Sequence, residues 1–400
     1  MDRRHFLTRI GALGCTAAAS PLVTPIALAS GPWDHRLVVI ILRGAMDGLD
    51  VVRPVGDPEY AGLRGTLTDG NAPFGTGFYQ FHPALAPLSQ LWAEGSFGAI
   101  HAVSTPYRDQ RSHFDGQDIL EAGTMGLTER QRDGWLNRML QAVPGLTAET
   151  AYAIGQEQML ILAGDAPAAR WSPDARLNLS DQARRLLEIV VHDDPLFQAA
   201  MGQAIEITDQ LKQDAEDIAE VTETMMDDSM VSGVREGNHT KVAEFAVTRL
   251  RAESRIASFS IGGWDTHQNQ HQQLPRTLSR LTDTILMLRA GLGPVWDKTA
   301  ILCMTEFGRT VRENGTRGTD HGTGGALLYA GGALRGGQVT GQWPGLTEAD
   351  LYARRDLMPV GDVRAVAGHV LQGLFGFDRG VIERVVFPGL QMETPPQIVL

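Results

Sequence analysis

Cysteine is nearly missing from this chain: Cys15 and Cys303 are the two in 400 residues. A disulfide framework is therefore excluded, and stability must come from a core. A basic excess is also missing. The formal net charge is −12, and loss of one acid (Asp2) and three bases (Arg3, Arg4, Arg9) with an N-terminal leader takes it to −14. An acidic surface disfavours nucleic acid as a partner. It does not exclude a phosphate or sulfate substrate, because a metal reverses the local sign. Beyond the N-terminus no apolar run is long enough to span a membrane. No Gly-x-Gly-x-x-Gly follows the first strand, which disfavours a dinucleotide enzyme. No Gly-x-Ser-x-Gly elbow is present, which weakens an esterase reading. Internal repeats and low-complexity linkers are absent too.

The first residues read as an address. Arg3, Arg4, His5, Phe6 and Leu7 form a twin-arginine pattern, and a mildly apolar stretch runs over 10–28. Ala27, Leu28 and Ala29 form a small-x-small cleavage site, so residues 1–29 are expected to be a signal peptide cleaved after Ala29. Gly11, Gly14, Pro21 and Pro25 break the stretch and argue against a spanning helix. A lipoprotein role for Cys15 is the rival reading, but the apolar segment before it is short. The expected partner is the twin-arginine export machinery, and the expected location is periplasmic or secreted. That route carries proteins already folded, often with a metal loaded.

The rest, 30–400, is expected to be a single α/β domain. Continuous apolar runs at 37–42, 97–103, 159–163, 256–261, 300–305 and 326–330 read as strands covered on both faces. Helical periodicity is clearest at 83–92, 182–191, 274–292 and 363–375. Strand, Gly-rich loop and helix in repetition predict a doubly wound, mostly parallel sheet with helices on both faces. Ligands then sit beyond the carboxyl ends of the strands. Residues 60–81 read as a long loop, and the acidic stretch 204–230 as a helical insertion with a solvated face.

The chemistry concentrates at the strand ends. Trp264, Asp265, Thr266 and His267 follow an apolar run and the pair Gly262 and Gly263. In an extended segment residues i and i+2 point the same way, so Asp265 and His267 can reach one metal ion. Glu306 and Arg309 follow the 300–305 run, and Asp320 and His321 lie among Gly318, Gly322, Gly324 and Gly325. Asp47 follows the first strand between Met46 and Gly48; alone, it reads more simply as a cap. Ser112 sits among Arg108, Arg111 and His113. It reads as a hydroxyl nucleophile, as a helix N-cap, or as both. His271 reads as a supporting group or merely the start of a helix. Mixed carboxylate and imidazole donors suit Zn, Mn or Fe better than Ca or Mg.

These segments resemble the twin-arginine-exported domain-of-unknown-function 1501 family, placed in the alkaline phosphatase and sulfatase superfamily. The matching stretches begin at Leu42, Arg111, Gly262, Thr305 and Gly318, in matching order across the mature chain. The resemblance implies an alkaline-phosphatase-like fold with two metals beside a nucleophile. By position, Asp47 resembles the first-strand ligand and Ser112 the nucleophile. Asp265, His267 and the later His321 resemble one metal site, and Glu306 the carboxylate of the other. The chain departs from the pattern at Phe307, where the superfamily has a histidine. Phe offers no lone pair, so the second site is short of a ligand, holds its ion weakly, or recruits His113 or Asp320.

The resulting expectation is an exported hydrolase of small anionic phosphate or sulfate esters with one or two divalent metal ions. Asp47, Asp265, His267, Glu306, Asp320 and His321 are the expected metal residues; Ser112, Arg309 and His113 are the expected catalytic ones. Arg309 or Arg111 would hold ester oxygens. A non-catalytic, metal-stabilised binding module of an exported complex and a metal-dependent oxidoreductase are the alternatives.

Overall fold

Six consecutive aliphatic side chains, 37–42, leave no polar face, so their strand must be covered on both sides. The computed structural model describes residues 32–68, 70, 72–108, 110–126, 133–155, 159–173, 237–392 and 398–400. Its strands are β1 (Arg36–Arg43), β2 (Val52–Arg53), β3 (Gln80–Phe81), β4 (Phe97–Ser104), β5 (Ala151–Ile154) and β6 (Ala169–Trp171), followed by β7 (Ile256–Gly262), β8 (Thr299–Met304), β9 (Gly325–Ala330), β10 (Val339–Thr340) and β11 (Gly361–Asp362). The longer helices are α1 (His113–Ala122), α2 (Trp135–Gln141), α3 (Asn238–Arg251), α4 (Gln270–Leu292) and α5 (Val363–Phe375).

One nine-stranded sheet runs β10-β4-β9-β8-β1-β7-β5-β6, with β11 also pairing with β4. All its pairings are parallel except those of β9, which is antiparallel to both β4 and β8. β1 is central, flanked by β7 and β8. Alternate side chains of β1 feed two cores. Leu37, Val39 and Ile41 pack with Leu302, Met304 and residues of α2 and α5. Val38, Ile40 and Leu42 pack with Phe259, Cys303 and residues of α3 and α4. Burying each such side chain is worth about 1.5–3 kcal/mol relative to exposure. In α4 the buried residues Leu274, Leu278, Leu281, Ile285, Leu288 and Leu292 recur at three and four, the stripe that seats a helix on a sheet. The chain is thus mixed α/β around a mostly parallel sheet, with helices on both faces.

Three expectations change. The 159–163 run is a 3₁₀ turn, Leu160–Leu162, rather than a strand. The place beside β7 is taken by the shorter β5. A brief apolar run has no period to show which it will be. Residues 60–81 are not one loop: they hold a helix, Tyr60–Arg64, a 3₁₀ turn, Gly65–Thr68, and β3, which pairs antiparallel with β2. The 83–92 segment splits into a 3₁₀ stretch, Pro83–Leu88, and a helix, Ser89–Ala93; Pro87 has no N–H for an α-helical ladder. Residues 1–29, 182–191 and 204–230 lie outside the described residues.

Parallel β1, β4, β7 and β8 end at one edge of the sheet, and antiparallel β9 starts there. That edge gathers the residues after Arg43, Ser104, Gly262 and Met304 with those before Gly325.

Candidate metal centre

Four segments meet at this edge. The turn after β7 carries Asp265 and His267, anchored by buried Trp264, whose Nε1 donates to Ile261 O at 2.8 Å. The loop before β9 carries Asp320 and His321. His113 opens α1, and Arg309 follows β8. Close approach is bought with glycine: a Cβ on Gly44 (φ +118°) would sit 2.5 Å from Asp265 N, and one on Gly318 would sit 2.3 Å from His267 C.

The three imidazoles share one logic. His113 Nδ1 lies 2.8 Å from Glu306 Oε1, His267 Nδ1 lies 3.1 Å from Asp320 Oδ1, and His321 Nδ1 lies 2.9 Å from Arg111 O. Carboxylates and carbonyls only accept, so each Nδ1 must carry its proton and donate. Every Nε2 of a neutral ring is then a bare lone pair. All three face Asp265 Oδ1: His267 at 3.1 Å, His321 at 3.2 Å and His113 at 3.4 Å. The Nε2 atoms of His267 and His321 are 2.9 Å apart. His113 Nε2 is buried and has no hydrogen-bond partner among the described residues.

Lone pairs turned toward one another repel unless a proton or a metal ion lies between them. Tetrahedral bonds of about 2.0–2.1 Å would separate their ligand atoms by about 3.3 Å, close to the 2.9–3.4 Å between Asp265 Oδ1 and each Nε2 and between the Nε2 atoms of His267 and His321. Ligand atoms of His113, Asp265 and His321 lie within 4.8 Å of one another. The residues therefore fit a divalent ion, and imidazoles tied at Nδ1 to carboxylates or carbonyls are the usual support of metal ligands. The cluster is open on one side: the Asp265 side chain is 46 % exposed, against 19 % for His321.

Arg309 meets the same carboxylate, Nη2 to Asp265 Oδ1 at 2.9 Å, from a buried position. Burial raises the Asp265 pKa, but its charged neighbours, Arg309 foremost, outweigh it and hold the acid below its ordinary value. Burial draws the Arg309 pKa down, only partly opposed by Asp265. The hydrogen bond to Glu306 raises the His113 pKa, while burial lowers that of His321.

Glu306 stands behind His113 rather than among the converging atoms. It is fully buried, and its Oε1 accepts from Gly44 N (2.9 Å), Ala45 N (3.1 Å), His113 Nδ1 (2.8 Å) and Gln117 Nε2 (3.2 Å). Burial alone would raise its pKa; these donors, His113 foremost, lower it. Ala45 at φ 61° aims two successive backbone N–H groups at one oxygen, an anion-binding nest. Asp320 similarly backs His267.

Asp47 belongs to a different network. It caps the short helix Gly48–Val51, accepting from Leu49 N. It forms a bidentate pair with fully buried Arg64, which also donates to Thr310 O. Gln270 Nε2 donates to Asp47 Oδ2 (2.7 Å) and Asp50 Oδ2 (2.8 Å), and its Oε1 accepts from Thr266 and Thr319, each at 2.8 Å. Burial raises the Asp47 pKa, but Arg64 and Gln270 overcome it and keep the acid ionised. The network props the two loops from beneath, through Thr266 beside Asp265 and His267, and Thr319 beside Asp320.

Ser112 is the N-cap of α1: its Oγ accepts from Asp115 N at 3.4 Å, and its N–H donates to Tyr107 Oη at 2.8 Å. Phe307 stacks on His113 (5.2 Å, 22°) and lies 5.2 Å from His321. His271 is exposed on α4. Sequence reasoning missed Gln270, Arg64 and Gln117. Gln270, three residues after His267, was visible as a polar residue at a helix start; Arg64 lay in a segment read as loop.

The C-terminal periplasmic domain of EcEptC from Escherichia coli is 9 % identical to this chain, with 76 % of this chain and 73 % of that one covered and a TM-score of 0.31. A complex of the same domain with Zn gives 9 %, 76 %, 74 % and 0.28. No curated protein matches the chain. The family described as protein of unknown function DUF1501 matches residues 89–386. With that match covering most of its length, the chain belongs to the DUF1501 family.

Proposed function

We propose that this chain is an exported, metal-dependent hydrolase of phosphate or sulfate esters in the alkaline phosphatase and sulfatase superfamily. It would be one domain, 30–400, on an alkaline-phosphatase-like doubly wound sheet, with 1–29 as a cleaved twin-arginine signal. The observation that carries the reading is the convergence of His113, His267 and His321 Nε2 on a half-exposed Asp265. Three imidazoles and one carboxylate suit Zn, Mn or Fe better than Ca or Mg. The ion would supply Lewis acidity to an ester oxygen.

The chain's own groups would do the rest. Glu306, Asp320 and Arg111 O fix the rings and their protons. Arg309 offsets the charge of Asp265. Ser112, beside His113 at the start of α1, puts a hydroxyl where a helix N-terminus favours an anion. Asp47 and Glu306, committed to Arg64 and to His113, support the site from behind. One ion is therefore favoured over two.

The test is turnover of aryl phosphate and aryl sulfate esters by protein loaded with Zn, Mn or Fe. Activity should fall with Ser112→Ala and vanish with Asp265→Ala or His267→Ala. Full activity in the last two, or no turnover by any loaded wild-type protein, would overturn the hydrolase reading. A metal-stabilised binding module is the second reading, favoured because four protein ligands already fill a tetrahedral shell. It predicts tight metal binding and strong stabilisation without turnover.

A further inference from the structure

Three carboxylates and one guanidinium stand around the converging nitrogens. Asp265 Oδ1 lies among them, Glu306 Oε1 backs His113 Nδ1 at 2.8 Å, and Asp320 Oδ1 backs His267 Nδ1 at 3.1 Å. The third ring, His321, is backed by the neutral Arg111 carbonyl. Each acid meets donors that favour its ionised form: Arg309 on Asp265, Gly44 N, Ala45 N and Gln117 on Glu306, and Asn314 Nδ2 on Asp320 at 3.1 Å. Arg309 is the cation that answers them. Its side chain is 0 % exposed; Nη2 lies 2.9 Å from Asp265 Oδ1 and Nη1 3.5 Å from His267 Nε2. Arginine stays protonated in proteins, so this charge is fixed. The nearby pairs Asp47 with Arg64, Glu121 with Arg43 and Asp356 with Arg355 are each neutral. Arg111 is exposed, and solvent screens its charge. The cluster thus carries two negative charges, which a divalent ion cancels. A trivalent ion would leave one positive charge over in a partly buried site.

We propose that Arg309 selects the valence of the ion: it holds the cluster at the charge a divalent cation neutralises, and it keeps bound iron ferrous. The inference rests on the metal-binding half of the proposed function and goes beyond it by tying the ion's oxidation state to one residue. Without the guanidinium the three acids would match a trivalent ion instead. At about 5 Å and an effective dielectric of about 20, one further unit of charge on the ion changes relative affinity by more than tenfold; half-exposure of the site brings this to about tenfold. Loss of a positive neighbour favours the more highly charged ion, whatever it does to the affinity for both. A merely structural role for Arg309 would move the two affinities together. An ion of fixed valence also suits Lewis-acid chemistry on an ester better than a redox cycle.

The test is the Fe(III)/Fe(II) reduction potential of iron-loaded protein, read by spectroelectrochemical titration. Arg309→Met should lower the potential by about 59 mV, the one-electron equivalent of a tenfold swing toward Fe(III). Arg309→Lys, which keeps the charge, should restore most of the wild-type value. Asp320→Asn, a change at an exposed residue, removes a negative charge and should raise the potential. A potential unmoved by Arg309→Met, or lowered equally by Arg309→Met and Arg309→Lys, would overturn this inference and leave the metal centre standing. Where Arg309→Met does not fold, an Asp320→Asn potential that fails to rise overturns it equally. Wild-type protein that takes up neither iron nor zinc would overturn the metal centre itself, and this inference with it.

Discussion

Two acids follow parallel strands at the same edge of the sheet, Asp47 after β1 and Asp265 after β7, and they have opposite fates. Asp47 is 1 % exposed and surrounded by donors from Arg64, Gln270 and Leu49. Its charge is spent inside the protein. Asp265 is half-exposed, and the atoms around it are one guanidinium and the Nε2 atoms of three imidazoles. The difference teaches that a carboxylate at a strand end becomes a ligand through what its neighbours leave unsatisfied. Position alone does not decide it.

The histidines divide the same way. His101 Nε2 donates to Val52 O at 2.9 Å and its Nδ1 accepts from Ala102 N at 2.8 Å, so both nitrogens are used. His113, His267 and His321 each use one nitrogen on an acceptor and turn the other toward Asp265.

The comparison can be broken most forcefully at Asp47. Asp47→Ala strands the buried Arg64 charge and should cost about 3–5 kcal/mol of stability, read as a lowered denaturation midpoint. Asp47→Ala combined with Arg64→Met should recover much of it. A small loss in the single variant would mean that the pair is not the internal brace described.

Next in size is the response to acid on the same side of the molecule. Burial pushes the pKa of His101 and of His82 down to about 4. The unfolded chain takes up protons at these residues near pH 6.5, but the folded one only near 4. Their contribution is therefore complete above pH 6.5 and is lost as pH falls toward 4, by roughly 3 kcal/mol each. Denaturation midpoints of metal-free protein should drop between pH 7 and 4.5; a flat profile would contradict the burial of these rings.

Glu306→Gln is the smaller change and sharpens the other side. It keeps the shape but removes the charge holding His113 Nδ1–H, and should weaken metal binding about 10–100-fold while lowering metal-free stability, because the buried donors favour the charged acid. Unchanged affinity in a competition titration would remove Glu306 from the site's support.

Much of the fold was legible because its central strands are unbroken apolar runs. The expected 37–42, 97–103, 256–261 and 326–330 became β1, β4, β7 and β9 within two residues at either end, and 363–375 matches α5. The short β5 and β6 were not legible, since three or four residues carry too little period. In the site, the loops gave away His267, His321 and Asp265 through their glycines. The roles of Asp47 and Glu306 were hidden, because each is defined by a distant residue: Arg64 lies 17 positions from Asp47, and His113 lies 193 from Glu306. A strand-end acid looks the same in sequence whether its partner is an arginine, an imidazole or an ion.

The central claim is that one ion sits among His113, Asp265, His267 and His321. Metal stoichiometry with X-ray absorption at the metal edge, on protein purified from its native host, tests it most directly. The account predicts one Zn, Mn or Fe ion per chain, bound by three imidazole nitrogens and a carboxylate oxygen, and lost in His113→Ala and Asp265→Ala but kept in Gln270→Ala. No bound ion, or an ion that survives Asp265→Ala and departs with Asp47→Asn, would contradict it.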